Sequence, residues 1–142
     1  MTIEKTVTMA RSDVKPAIIL SAKDYDRLST LARAAQNRLP DLASELAAEV
    51  GRAHVLGRDE IANQFVGMND DVEFRDDTTG RARQVTLVYP DEADISQGKI
   101  SVMTPVGTAL IGLRTGHSIT WETPLGETRQ LTVISVRKLH RH

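Results

Sequence analysis

The sequence predicts an α+β fold: a short antiparallel two-helix hairpin, then a bent antiparallel sheet of about five strands with one short helix. Three observations predict it. Apolar residues recur at spacings of three and four as far as residue 56, and at spacings of two from residue 71 onward. The break Asn37-Arg38-Leu39-Pro40-Asp41 splits the helical part in two. Turn chemistry at 76–80, 114–116 and 123–126 punctuates the second part. A length of 142 residues suits one domain, or one small domain with an appendage.

The elements follow in order. Residues 1–20 read as a loose tail, polar to Pro16 and closing on an apolar lead-in, Ala17 to Leu20. Ser21 opens a helix in a Ser-x-x-Asp pattern, where the hydroxyl can accept an orphan amide and Asp24 suits the positive helix end. Tyr25, Leu28, Ala32 and Ala35, with Leu31 beside them, form its apolar stripe, and the helix fades near Asn37 after roughly 25 Å. Pro40 suits the first turn of a second helix running to about Leu56, with Leu42, Leu46, Val50 and Ala53 on one face. The short connection makes the helices antiparallel neighbours, giving a coiled-coil-like hairpin over 21–57. Gly57 to Gly67 is a charged connector through Arg58, Asp59 and Glu60. Strands are expected at 71–75, 84–89, 99–103, 118–122 and 128–136. Leu131, Val133 and Ser135 are expected to share one face of the last of these. An acidic loop spans 90–98, and a short helix spans 106–113 after Thr104-Pro105. The second domain is placed at 66–139.

Composition excludes several classes. The chain carries 18 Lys+Arg against 19 Asp+Glu, too balanced for a dedicated nucleic-acid coat. It has no cysteine, which removes disulfides, thiolate zinc sites and cysteine nucleophiles. Met1 to Lys15 lacks the apolar core of a signal peptide, and no apolar run is long enough to span a bilayer. A cytoplasmic chain with no membrane partner is expected. The charge is polarised: residues 59–94 hold 10 acidic and 3 basic side chains, and residues 95–142 hold 2 acidic and 6 basic. Such runs are solvated faces or surfaces that orient docking on a charged partner.

Specific strings resemble a known family. Leu87-Val88-Tyr89-Pro90 leads into Glu92-Ala93-Asp94, and then Lys99-Ile100-Ser101-Val102-Met103-Thr104-Pro105-Val106-Gly107. Ala109-Leu110-Ile111-Gly112-Leu113 with Arg114-Thr115-Gly116 follows, and Trp121-Glu122-Thr123-Pro124-Leu125-Gly126 closes the series. From Val66 onward the chain resembles the C-terminal domain of the Gre transcript-cleavage factors and of their shorter Rnk branch, the regulators of nucleoside diphosphate kinase. The resemblance implies the FKBP-type domain and a bacterial RNA polymerase partner at the rim of its secondary channel. It also implies competition with Gre factors, contact with DNA only through the polymerase, and no cofactor. In Gre factors a long hairpin carries paired acidic residues that help hold the catalytic magnesium, a hard cation suited by carboxylate oxygens. Here the tip offers one carboxylate, Asp41, beside Arg38 and Pro40. A hairpin this short and singly acidic implies a regulator without cleavage stimulation and without catalytic residues. Gre-type cleavage through Asp41 is the alternative.

By the same resemblance Met103, Thr104, Pro105 and Val106 form the polymerase-docking loop. They also read as a strand-to-helix turn capped by Thr104, and both readings stand. His117 stands where the family has Asp. Trp121 reads as core packing or as the floor of a prolyl-isomerase pocket. The second needs several aromatics, and the chain has only Tyr25, Phe65, Phe74, Tyr89 and Trp121. The pairs Asp70-Asp71 and Asp76-Asp77 and the run Asp91-Glu92-Asp94 lack the glycine and terminal Glu of a calcium loop, and read as solvated turns. His140 and His142 read as a frayed end. No metal site is expected.

Overall fold

In a computed structural model that describes residues 15–57 and 64–138, Ser21 opens the first helix, α1, at Ala22–Ala34. Its hydroxyl accepts the Asp24 amide at 3.1 Å. Pro40 starts the second helix, α2, at Pro40–Arg52, and Leu39 caps it with backbone alone. Leu28 and Ala32 of α1 face Ala43, Leu46 and Val50 of α2 in one buried seam. Each helix is about 20 Å long, shorter than expected.

The two ends of this hairpin correct the sequence reading. Residues 18–20 do not belong to a loose tail: Ile18 and Leu20 are fully buried. Strand β1, Ile19–Leu20, pairs in parallel with β2, His54–Val55. The second helix therefore stops at Arg52, short of Leu56, because the amides of His54 and Leu56 donate to the carbonyls of Ile18 and Leu20. A two-residue strand has no periodicity to detect, which is why the pairing was not foreseen.

The remaining strands are β3, Asp71–Asp76; β4, Arg81–Val88; β5, Lys99–Ser101; β6, Ser118–Glu122; and β7, Thr128–Arg137. They form one curled sheet in the order β5-β4-β3-β7-β6. Most pairs are antiparallel, but β5 lies parallel to β4, which corrects the all-antiparallel expectation. The acidic segment after β4 contains two 3-10 turns, Pro90–Glu92 and Ile95–Gln97, and it carries the chain back to the same end of the sheet. A bulge sets Glu73 against Ser135 and Phe74 against Val133, skipping Ile134. The bulge shifts the alternation by one residue, so Val136 is buried and Ser135, expected inward, is exposed.

Helix α3, Pro105–Leu110, is shorter than the predicted 106–113. It ends because Gly112 adopts φ +78°, and its backbone bonds both halves of the molecule: its amide to Val66 and its carbonyl to Ile19. A Cβ at Gly112 would lie 2.9 Å from Ile18 Cβ. One continuous core contains Leu28 and Leu46 of the hairpin and Val72, Leu87, Leu131 and Val133 of the sheet. The hairpin thus lies on the domain and does not project freely. The expectations for residues 1–14, for Arg58, Asp59 and Glu60, and for His140 and His142 fall outside the described residues.

Candidate docking surface

The turn from β5 into α3 is fixed by its own side chains. Thr104 Oγ1 accepts the Gly107 amide at 3.0 Å and donates to the Ser101 carbonyl at 2.7 Å. Ser101 Oγ accepts the Met103 amide at 2.9 Å, and Thr108 Oγ1 donates to the Val102 carbonyl at 2.8 Å. A Cβ at Gly107 would sit 2.2 Å from the Ser101 carbonyl oxygen, so only glycine lets the helix approach the strand this closely. The turn is a rigid mount.

The mount separates the four residues to which the resemblance gives docking. Met103 is buried in the core. Thr104 is half-buried, with its hydroxyl committed to the cap. Pro105 and Val106 are half-buried and line a groove of about 380 Å³. Its apolar walls include Ile100, Trp121, Pro124 and Ile95, the last 86% exposed on its 3-10 turn. The charged side chains lining it are Arg83 and Lys99. Trp121 packs against the core and also lines the groove, so its two readings share one residue.

The hairpin tip lies elsewhere. Arg38, Leu39, Pro40 and Asp41 are all exposed, and Asp41 stands in the first turn of α2, where a carboxylate favours the positive helix end. The tip offers one acidic side chain.

Other carboxylates are already occupied. Asp70 is buried, accepts the Gly67 amide at 2.7 Å and pairs with Lys138 at 2.8 Å. Asp24 accepts the Met68 amide across the hairpin–sheet junction at 3.1 Å. Burial pushes its carboxyl up, the neighbouring Asp70 adds to this, and the Met68 amide and Lys138 oppose it. Burial, then the nearby Asp24 charge, pushes the Tyr89 hydroxyl up to about 12. Asp71 accepts from Thr86, and Asp94 caps its 3-10 turn. Asp76 and Asp77 sit below the ordinary value of 3.8. Desolvation acts against the shift at both. It is outweighed at Asp76 by the Thr78 amide and Arg129, and at Asp77 by Thr132 and Arg75. Among the described residues no group of three His, Asp or Glu forms a metal site. No helix among them is long and apolar enough to cross a membrane.

Two family models match in tandem. The Rnk N-terminus model covers residues 16–56, and the transcription elongation factor GreA/GreB C-terminal model covers residues 61–138. The chain belongs to the Gre family, in its Rnk branch. It is 41% identical over 123 residues to the regulator of nucleoside diphosphate kinase of Escherichia coli K12, a match that covers 86% of this chain and 90% of that one. It is 36% identical over 105 residues to the transcription elongation factor GreA of Thermodesulfovibrio yellowstonii, covering 74% of this chain and 66% of that one. Among solved structures it is similar to a GreA/GreB elongation factor of Nitrosomonas europaea. The TM-score is 0.67 and the identity 37%, with 87% of this chain and all of that one covered.

Within this Gre-family chain, the fold is the family's two helices followed by a curled, mostly antiparallel sheet. The names of its relatives make it a transcription-associated, Gre-like regulator. Of the residues that line the groove, the sequence reading singles out Thr104, Pro105, Val106 and Trp121, and it does not single out Arg83 or Ile95. A signal for part of the rest was present: Arg81 and Arg83 fall in step with Val85 and Leu87 at spacings of two, which puts two cations on the core face of β4, beyond the end of the core.

Proposed function

We propose that this Rnk-type chain binds bacterial RNA polymerase at the rim of its secondary channel and excludes Gre factors from that site, without stimulating RNA cleavage. The observation that carries the reading is the apolar groove beside Pro105 and Val106, held on a rigid mount within the domain shared with GreA and GreB. Occupancy needs no chemistry: one bound molecule excludes the next. Contact with DNA would run only through the polymerase, and an effect on nucleoside diphosphate kinase would be an indirect effect on expression. The FKBP-type likeness belongs to this reading, with the sheet curled round α3 and Trp121 in the groove wall. Prolyl isomerisation is disfavoured, because of the aromatics that line the groove Phe74 is only 2% exposed.

A pull-down with purified bacterial RNA polymerase, challenged with excess Gre factor, tests the reading. Retention that the competitor removes supports it, and retention that the competitor leaves intact overturns it. One observation favours a second reading: Asp41 is exposed at the hairpin tip. Cleavage of stalled transcripts that is lost in Asp41→Asn would establish that reading. The single carboxylate and helices of about 20 Å argue against it.

A further inference from the structure

The groove beside α3 differs from an ordinary apolar cleft in its charge. The two ionisable side chains that line it, Arg83 and Lys99, are both cationic, and neither has a carboxylate partner among the described residues. Arg83 also lines a second cleft, of about 420 Å³, at the open end of the sheet. There Asp76 neutralises Arg129 at 2.8 Å, while Arg81 has no carboxylate partner among the described residues. The outer sheet face is built differently. There Arg75 is paired with Asp77 and Arg137 with Asp71. Cations left without carboxylates are thus gathered where the groove opens.

The guanidinium of Arg83 lies 5.9 Å from the centre of the Phe74 ring, which orients it over the groove wall. Its plane can engage a carboxylate with two parallel hydrogen bonds. Ile95, Val106 and Trp121 supply the apolar surface between the charges.

We propose that this groove takes an apolar side chain presented by an acidic protein segment, with Arg83 and Lys99 pairing the carboxylates that flank the anchor. The inference rests on the docking reading and deepens it by stating the chemistry of the polymerase surface that fits. Interfaces of this design gain their energy from the buried anchor, and their register and association rate from the rim charges. Single-stranded RNA is the poorer occupant. It needs several exposed aromatic faces for its bases, and the groove offers Trp121 alone, since Phe74 is buried.

The test uses the full chain and purified RNA polymerase core enzyme, with affinity measured at low and at physiological salt. Arg83→Glu combined with Lys99→Glu is expected to weaken binding about tenfold or more at low salt and to reverse its salt dependence, since the contact turns from attractive to repulsive. Arg83→Lys should lose less, and Lys23→Glu, on the exposed side of α1, should bind like the parent. Arg83 is exposed and Lys99 half-buried, and circular dichroism checks that each variant is folded. Three outcomes overturn the inference. If the parent does not bind the polymerase, the docking reading falls and this falls with it. If the parent binds, Val106→Asp abolishes binding and the double reversal leaves it intact, docking stands and the acidic partner is wrong. If the reversal spares polymerase binding but abolishes retention of a single-stranded RNA oligonucleotide, the groove serves nucleic acid.

Discussion

Gly107 shows how much one missing methyl group can hold. A Cβ there would overlap the Ser101 carbonyl, and both elements that would have to move carry core residues. Gly107→Ala is expected to lower stability by about 1–3 kcal/mol, read as a lower urea midpoint at unchanged slope. Thr104→Ala removes the cap and the bond to the Ser101 carbonyl and should cost about 1–2 kcal/mol. Two half-buried carboxyls, Asp24 and Asp76, give opposite pH behaviour. Asp24 is pushed up by burial, so its contribution is fully present below 3.8 and is lost as the pH rises through its folded value. Relative to Asp24→Asn, the parent should therefore lose stability as the pH climbs from 3.8 and then level off. Asp76 is held down by the Thr78 amide and Arg129 against its own desolvation, so its contribution is present above 3.8 and is lost as the pH falls through its folded value. Asp76→Asn should flatten the acid limb below 3.8. Urea midpoints across the acid range separate the two. The Ser21 cap and the Thr104 cap were legible in the sequence because capping is a local pattern. The Asp24 contact to Met68 was not, because it joins residues 44 apart in the chain.

At the scale of elements, the amphipathic helices were readable because each repeats its signal over several turns. The parallel placement of β5 was not, because three residues carry too little pattern to fix direction. The bulge in β7 was hidden for a related reason: Leu131 and Val133 establish a period that Ile134 then breaks. The seam between α2 and the rest depends on Glu49, which is buried and paired with Lys15 at 2.9 Å and Arg52 at 2.8 Å. Glu49→Ala leaves the Arg52 guanidinium bonded to the Pro16 carbonyl and takes from Lys15 its ion pair. Because Arg52 and Lys15 keep partial contact with water, the cost should be roughly 2 kcal/mol, below that of a fully buried pair. A thermal melt at neutral pH measures it. Of the groove, Pro105 and Val106 stood in the family strings. The cationic end of the groove was not legible, because it assembles from β4, β5 and the acidic segment between them.

For the whole molecule, the shared core predicts cooperative behaviour. Leu28 and Leu46 sit in the same cluster as Leu131 and Val133. The helical circular dichroism signal reports the hairpin, and the fluorescence of the single tryptophan, Trp121 on β6, reports the sheet. The two denaturation curves should coincide, and Leu46→Ala should shift both together by about 2–5 kcal/mol. Separate transitions would show that the hairpin unfolds on its own. The parallel β1–β2 pair has a further consequence. It stitches the hairpin's entry and exit side by side, and Gly112 ties the stitch to the sheet. The distance between the two legs is thereby set at the root and is independent of what lies beyond. Turns inserted near Pro40 would lengthen both legs, about 10 Å for each seven residues added to a leg, without disturbing the root. On this chassis a blunt finger and a long one are the same part cut to two lengths, and reach is a dimension that can change without redesign of the base.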